Sequence, residues 1–181
     1  MSLEEARKLF NEFVKSEQVK MHCREVEVIM SALAKELNEN EEKWAIAGLL
    51  HDMDCDIITE IKDQGKKAVE ILKEKTDCPE DICHAILAHN ESLNGIKRES
   101  KFDYLLSAAD NISGLIYAYG LMKKTLEGME VSGLKKKLKN KAFAATVRRD
   151  LIYDAEKFMP LDKFLETAIK AMQSIAKEIG F

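Results

Sequence analysis

A histidine and an aspartate, His51 and Asp52, stand side by side at the end of an apolar run that begins at Trp44. Trp44, either Ala47 or Gly48, and His51 recur at helical spacing, so the imidazole continues the buried stripe of a predicted helix. Asp52 follows one step around the helix, close enough for both side chains to reach a common point. An imidazole and a carboxylate that converge at the edge of a core are typical of a metal site or a proton-transfer site.

Two further residues could complete such a site. His22 lies on the apolar stripe of a helix predicted over about 18–37, and Asp110 lies inside the apolar part of the longest predicted helix. Each has a structural alternative: His22 as a core histidine bound to a carbonyl, and Asp110 as a helix cap or the partner of a basic side chain. With His51 and Asp52 they form two imidazoles and two carboxylates. Divalent cations accept this mixed set and keep room for water or a phosphate oxygen.

The elements that must position these residues are predicted to be helices. The chain has 181 residues with 8 Gly and only 2 Pro, and 46% of its residues are hydrophobic. So few breakers favour long helices over a sheet. Capping-box patterns and a first-turn proline predict helix starts at Ser2, Ser100 and Pro160. We therefore predict an all-α fold, a single domain over residues 1–181 with about eight to nine helices.

Charge and composition indicate which binding partners and which cellular compartment to expect. The net charge of −4 gives no global attraction to nucleic acid or to an anionic membrane. A signal-peptide pattern and an apolar run long enough to span a bilayer are both missing. The four cysteines form no Cys-x-x-Cys pair, which favours reduced thiols. We expect a cytoplasmic protein without membrane or specific nucleic-acid partners, and a homo-oligomer is compatible with the sequence.

The order of the four candidate ligands resembles the HD superfamily of metal-dependent phosphohydrolases. A histidine, then an adjacent His-Asp pair, then a later aspartate inside a helix stand at His22, His51, Asp52 and Asp110. The resemblance to the superfamily core covers about 19–118, and residues 131–181 would add helices that pack on it. Stretches around Ala88-His89-Asn90, 107–116 and 141–150 are similar to a smaller group of short microbial HD-domain hydrolases. The resemblance implies an HD-type helical bundle that hydrolyses phosphate esters.

The resulting hypothesis is a phosphohydrolase that acts on a nucleotide or a similar small phosphorylated metabolite. One divalent ion (Mn, Fe, Co, Ni, Mg or Zn) would be held by the four ligands and would activate a water. Family members with two metals usually supply two more histidines on separate elements, whereas this chain offers only His84 and His89 on one predicted helix. We therefore expect one metal, with His84 on the surface, and a two-metal site is the alternative.

Further residues are candidates for proton transfer and for substrate binding. Besides the ligand Asp52, the candidates for proton transfer are Asp54, Asp56 and His89. The candidates for substrate contacts are Asn90, Asn111, Lys136, Lys139, Lys141, Arg148 and Arg149. Each has an alternative as a loop acid, a core residue or part of a solvated basic helix face.

A rival hypothesis is a non-catalytic HD-like module that binds a ligand or signals. Such modules commonly lack one or more metal ligands, and all four matching positions are intact here. The sequence therefore favours an enzyme.

Overall fold

A computed structural model describes residues 1–181 as a bundle of ten α-helices without strands. The helices are α1 (Leu3–Phe13), α2 (Glu17–Glu36), α3 (Glu41–Leu50), α4 (Lys66–Lys75), α5 (Glu80–Ala88), α6 (Glu91–Asn94), α7 (Lys101–Lys123), α8 (Val131–Lys139), α9 (Arg149–Tyr153) and α10 (Leu161–Ser174). Two short 3-10 helices cover Ile61–Asp63 and Asp154–Lys157. The predicted all-α fold is confirmed.

Local capping explains several of the helix ends. Ser2 and Ser100 form capping boxes at α1 and α7, as the sequence predicts. Asn40 caps α3 through a bond from the amide of Lys43, and Asn38 before it takes a positive φ of 54°. Lys124, with a φ of 59°, ends α7 slightly before the predicted boundary near Leu126.

Two differences from the predicted elements are local. The polar segment after His89, predicted as a loop, contains the four-residue helix α6. The last helix ends at Ser174, although its apolar stripe continues into turns where Ile175 and Ile179 remain buried. The short helices α6 and α9 account for the excess over the predicted eight to nine.

The helices share one hydrophobic core. Helix α2 packs against α3, α7 and α10, and α7 also contacts α5, α8 and α9. A single cluster of buried apolar side chains includes Ile29 of α2, Leu50 of α3, Leu105 of α7 and Phe164 of α10. The C-terminal helices therefore support the same core as the elements that carry the candidate ligands. None of the helices is both long and apolar enough to cross a membrane.

The crossing of α2 and α3 depends on a glycine. A Cβ placed on Gly48 would lie 2.8 Å from the carbonyl oxygen of Val26 and 2.9 Å from the Cα of Glu27. Such distances leave no room for a side chain against backbone atoms. The bare backbone of Gly48 lets the two helices approach closely just before His51.

Candidate metal centre

Three helices bring the four predicted ligands together. His22 lies in α2, His51 and Asp52 follow the last turn of α3, and Asp110 lies in the middle of α7. The Nε2 atoms of His22 and His51 are 3.2 Å apart. Asp110 Oδ1 is 3.1 Å from His22 Nε2 and 3.9 Å from His51 Nε2. Asp52 Oδ2 is 3.8 Å and 3.5 Å from the same two nitrogens.

The two imidazoles are oriented by hydrogen bonds on their far side. His51 Nδ1 lies 2.8 Å from the carbonyl oxygen of Gly48, which fixes the proton on Nδ1. Ser113 Oγ donates to the carbonyl of Asp110 at 2.8 Å and lies 3.3 Å from His22 Nδ1, so its hydroxyl can accept the proton of that nitrogen. His51 then presents an Nε2 lone pair to the cluster, and His22 would do so once it gives up its Nε2 proton, the arrangement found in histidines that bind metals.

The two carboxylate oxygens of Asp52 have different partners. Its Oδ2 faces His22 and His51, whereas its Oδ1 accepts a hydrogen bond of 2.5 Å from Gln64 Nε2 and lies 3.5 Å from His89 Nε2. Gln64 precedes Gly65, the residue at the N-terminus of α4. Gly65 has a positive φ of 80°, and its backbone lies close to the carbonyl oxygen of Ile86. The side-chain amide of Gln64 thus holds Oδ1 of Asp52 and leaves Oδ2 directed at the two imidazoles.

The electrostatics of the cluster favour negative carboxylates and a cation among them. Burial raises the pKa of Asp52 and Asp110, but the neighbouring imidazoles outweigh it and both pKa values fall below their usual range. Burial lowers the pKa of His51. Burial has the same effect at His22, but the hydrogen bond and charge of Asp110 raise its pKa to about 9. Without a metal, the proton on His22 partly neutralises the two carboxylates. A divalent ion bound among these groups could replace that proton.

The donor set fits a divalent metal ion. Two imidazole nitrogens and two carboxylate oxygens suit borderline and hard cations. Ligand atoms of His22, His51 and Asp52 all lie within 4.8 Å of one another, and Asp110 adds an oxygen 3.1 Å from His22 Nε2. The side chains of His22 and Asp110 keep 27% and 26% of their surface exposed, so the cluster is open to water and substrate on that side. His51 is fully buried and forms its floor.

Comparison with known proteins agrees with this geometry. The HD domain family matches residues 19–115, more than half of the chain, and this match includes all four clustered residues. The chain belongs to the HD domain family. This family is part of a superfamily of metal-dependent phosphohydrolases.

Curated relatives of this HD domain protein include ribonucleases Y. That of Oleidesulfovibrio alaskensis is 32% identical over 99 residues, and that of Geobacter sulfurreducens is 35% identical over 102 residues. Each match covers 55% of this chain but only 18% of the relative. The chain therefore spans less than a fifth of the length of these relatives. No solved structure matches it significantly.

His89 joins the cluster of the HD domain, whereas His84 does not. His89 is 4% exposed, its Nδ1 lies 2.5 Å from the carbonyl of Ile86, and its Nε2 is 2.8 Å from Asn90 Nδ2. The rings of His89 and His51 stand edge to face with centroids 5.1 Å apart. His84 lies about a third exposed with Nδ1 3.2 Å from Asp103 Oδ2. One additional histidine thus stands beside Asp52.

The structure gives Asp54 and Asp56 roles other than proton transfer. Asp54 is fully buried, and its Oδ2 accepts the amides of Gly65 and Ala68 at 2.8 and 2.9 Å, which caps α4. Its Oδ1 is also buried and has no hydrogen-bond partner. Asp56 accepts two amides, those of Lys15 and Ser16, at 2.6 and 2.7 Å and holds the turn between α1 and α2. Both carboxylates are structural.

Arg149 is also a structural residue, in contrast to its expected role in substrate binding. Its guanidinium donates to five main-chain carbonyls, with one bond from Nε and two from each terminal nitrogen. The acceptors are Leu138, Ala144, Val147, Asn140 and Phe143. A guanidinium has five N–H donors, so none remains for a phosphate. Arg149 instead fixes the segment 138–149, which we call the carbonyl loop.

Among the remaining substrate candidates, the three lysines and Asn111 differ in their contacts. Lys136, Lys139 and Lys141 are exposed and make no hydrogen bond or ion pair with the cluster. Asn111, in contrast, donates to Asp110 Oδ2 at 3.2 Å and accepts the amide of Arg148 at 2.9 Å. Asn111 therefore connects a clustered carboxylate to the carbonyl loop.

Sequence reasoning missed Gln64 and Ser113. Gln64 contacts the cluster from a segment without an apolar pattern, and Ser113 lies in the 107–116 stretch but was not singled out there. The available signal was position, since Ser113 lies one turn after Asp110 on the same helix.

Proposed function

We propose that this protein is a metal-dependent phosphohydrolase that cleaves a phosphate ester of a nucleotide or a similar small phosphorylated metabolite. The observation that carries the proposal is the convergence of two imidazole Nε2 atoms and two carboxylates from α2, α3 and α7, with neighbouring atoms 3.1–3.9 Å apart. His22, His51, Asp52 and Asp110 would hold one divalent ion. Membership of the HD domain family supports the same reaction class.

A bound divalent cation lowers the pKa of a water ligand and neutralises negative charge on a phosphoryl group. The protein's own residues orient the site. Gly48 and Ser113 fix the ring tautomers of His51 and His22, and Gln64 directs Asp52 Oδ2 to the imidazoles. Preorganised ligands of this kind need little rearrangement when charge develops.

His89 is the proposed proton-transfer residue. Its Nδ1 is anchored on a main-chain carbonyl, and its Nε2 lies 3.5 Å from Asp52 Oδ1 and within hydrogen-bond distance of Asn90. An imidazole held at one nitrogen can accept or donate a proton at the other without moving. Asn90 would keep that nitrogen in a single orientation.

RNA is the second candidate substrate. The matched relatives are ribonucleases Y, so a phosphodiester of RNA belongs in any test. The net charge of −4 supports a small substrate instead, because nucleic-acid affinity depends strongly on basic groups.

The test is hydrolysis by metal-stripped protein after addition of Mn, Fe, Co, Ni, Mg or Zn. The panel contains a chromogenic phosphate monoester, a diester, nucleotides and a short RNA. We expect metal-dependent turnover that falls more than about 100-fold in His51→Ala and Asp110→Ala proteins. His84→Ala is the matched control because this histidine lies outside the cluster, and it should keep its activity.

Two results would contradict the proposal. Full activity of the Asp110→Ala protein on its best substrate would refute the ligand assignment. Stoichiometric metal binding without turnover on any substrate would favour a ligand-binding or signalling module.

A further inference from the structure

Arg148 lies in the carbonyl loop and is connected to the proposed metal ligands. Its amide donates to Asn111 Oδ1 at 2.9 Å, and Asn111 Nδ2 donates to Asp110 Oδ2 at 3.2 Å. One amide side chain therefore connects the backbone of Arg148 to a proposed metal ligand. The position of Arg148 is fixed relative to the cluster through main-chain atoms that substitution of its side chain would preserve.

The guanidinium of Arg148 contacts the chain segment that follows His89. Its Nη1 donates to Ser92 Oγ at 3.0 Å, and Ser92 lies in α6, three residues after His89. The arginine thus spans the interval between α7, which carries Asp110, and the segment that follows His89.

Arg148 keeps donors free for a ligand, unlike its neighbour Arg149. Its side chain is 48% exposed, and only Ser92 and Asp150 accept hydrogen bonds from its guanidinium. The contact with Asp150, at 2.8 Å, is an exposed ion pair, and such pairs contribute little to stability. A phosphate can accept two parallel bonds from a guanidinium, which is a stronger arrangement, so it can compete with Asp150.

We propose that Arg148 is a specificity-determining residue that binds a second, non-reacting phosphate group of the substrate. The proposal rests on the proposed function, because the reacting phosphate is assigned to the metal held by His22, His51, Asp52 and Asp110. The carbonyl loop holds the arginine in place before substrate arrives, which reduces the ordering that binding requires. The preferred substrates are then small esters with two phosphates on one sugar, such as nucleoside bisphosphates.

The test compares binding of adenosine 3′,5′-bisphosphate and of the 3′- and 5′-monophosphates to protein loaded with Mn²⁺, by calorimetry. We expect wild-type protein to bind the bisphosphate at least tenfold more tightly than either monophosphate. Arg148→Ala should weaken bisphosphate binding about 10- to 100-fold and leave monophosphate binding within twofold. Arg148→Lys keeps the charge but loses the planar fork, so it should restore only part of the preference.

Lys170→Ala is the matched control, because it removes an exposed positive charge on α10 that pairs only with Glu166. It should bind all three nucleotides as the wild-type protein does. Mn²⁺ binding and helical circular dichroism should be unchanged in every variant. A wild-type protein without preference for the bisphosphate, or an Arg148→Ala protein that keeps it, would overturn the proposal.

The same experiment separates this proposal from the phosphohydrolase itself. Metal-dependent turnover with an unaltered nucleotide preference in Arg148→Ala would refute the role of Arg148 alone. A bisphosphate preference that disappears in Arg148→Ala, in a protein without turnover, would support the anion site and refute the enzyme.

Discussion

Glu25 is a buried carboxylate one turn along α2 from His22. It is 3% exposed and makes no hydrogen bond or ion pair. Burial raises its pKa to about 8, and the nearby charge of His22 only partly opposes this effect. The side chain is therefore protonated in the folded protein at neutral pH, and ionised in the unfolded chain.

Replacement of Glu25 by Gln should change how stability depends on pH. Between pH 4.5 and pH 8 the folded state holds a proton that the unfolded state releases, so wild-type stability falls as pH rises through this window. The Glu25→Gln protein has no such proton. We expect it to be more stable than wild type at pH 9 by on the order of 1–3 kcal/mol, with a smaller difference at pH 4.

Urea unfolding of the metal-free proteins at pH 4 and pH 9 measures this difference. Glu12→Gln, at an exposed position of α1, is the control and should follow the wild-type profile. An equal stability difference between Glu25→Gln and wild type at both pH values would show that Glu25 does not titrate as described.

At the scale of the helix, Gly48 determines how closely α2 and α3 approach. A methyl group at this position would meet the carbonyl of Val26 at 2.8 Å, and His22 and His51 lie on the two helices that it would push apart. The 3.2 Å separation of their Nε2 atoms depends on this contact.

Gly48→Ala should lower both stability and metal affinity. We expect a loss of about 1–3 kcal/mol in the free energy of unfolding and at least a tenfold weaker affinity for Mn²⁺. Gly114→Ala, in α7, is the matched control: its Cβ would meet only Val147 Cγ2 at an ordinary 3.7 Å. That variant should gain about 0.5–1 kcal/mol from helix propensity and keep its metal affinity. Equal effects of the two substitutions would contradict the packing role of Gly48.

The sequence predicted the helices and the four clustered residues better than their surroundings. Capping boxes and apolar periodicity are local, so Ser2, Ser100 and the longer helices could be read directly. The roles of Asp54 and Arg149 depend on amides and carbonyls of other segments, which leave no trace in residue type or spacing. A carboxylate or arginine near a site therefore looks the same in sequence whether it faces a substrate or the backbone.

At the scale of the molecule, the proposed metal would link three helices of one core. A ligand that binds only the folded state stabilises it by about 2.7 kcal/mol at 100 times its dissociation constant. For a chain of 181 residues this corresponds to a rise in melting temperature of roughly 5–10 °C. The four ligands come from three distant segments of the sequence, so the unfolded chain should bind far more weakly.

Thermal unfolding with and without Mn²⁺ tests this expectation. The rise should be present in wild-type protein, reversed by a chelator and absent in Asp110→Ala. The control His84→Ala should keep the full rise. An equal rise in Asp110→Ala would indicate that the ion binds elsewhere.

The shape of the carbonyl loop depends little on which side chains it carries. Arg149 holds the loop through main-chain oxygens alone, and every residue type carries the same carbonyl. Exposed positions such as Lys141, Ala145 and Thr146 can therefore change while the loop keeps its shape. Selection, or a designed library, can vary these exposed side chains without rebuilding the loop that holds Arg148.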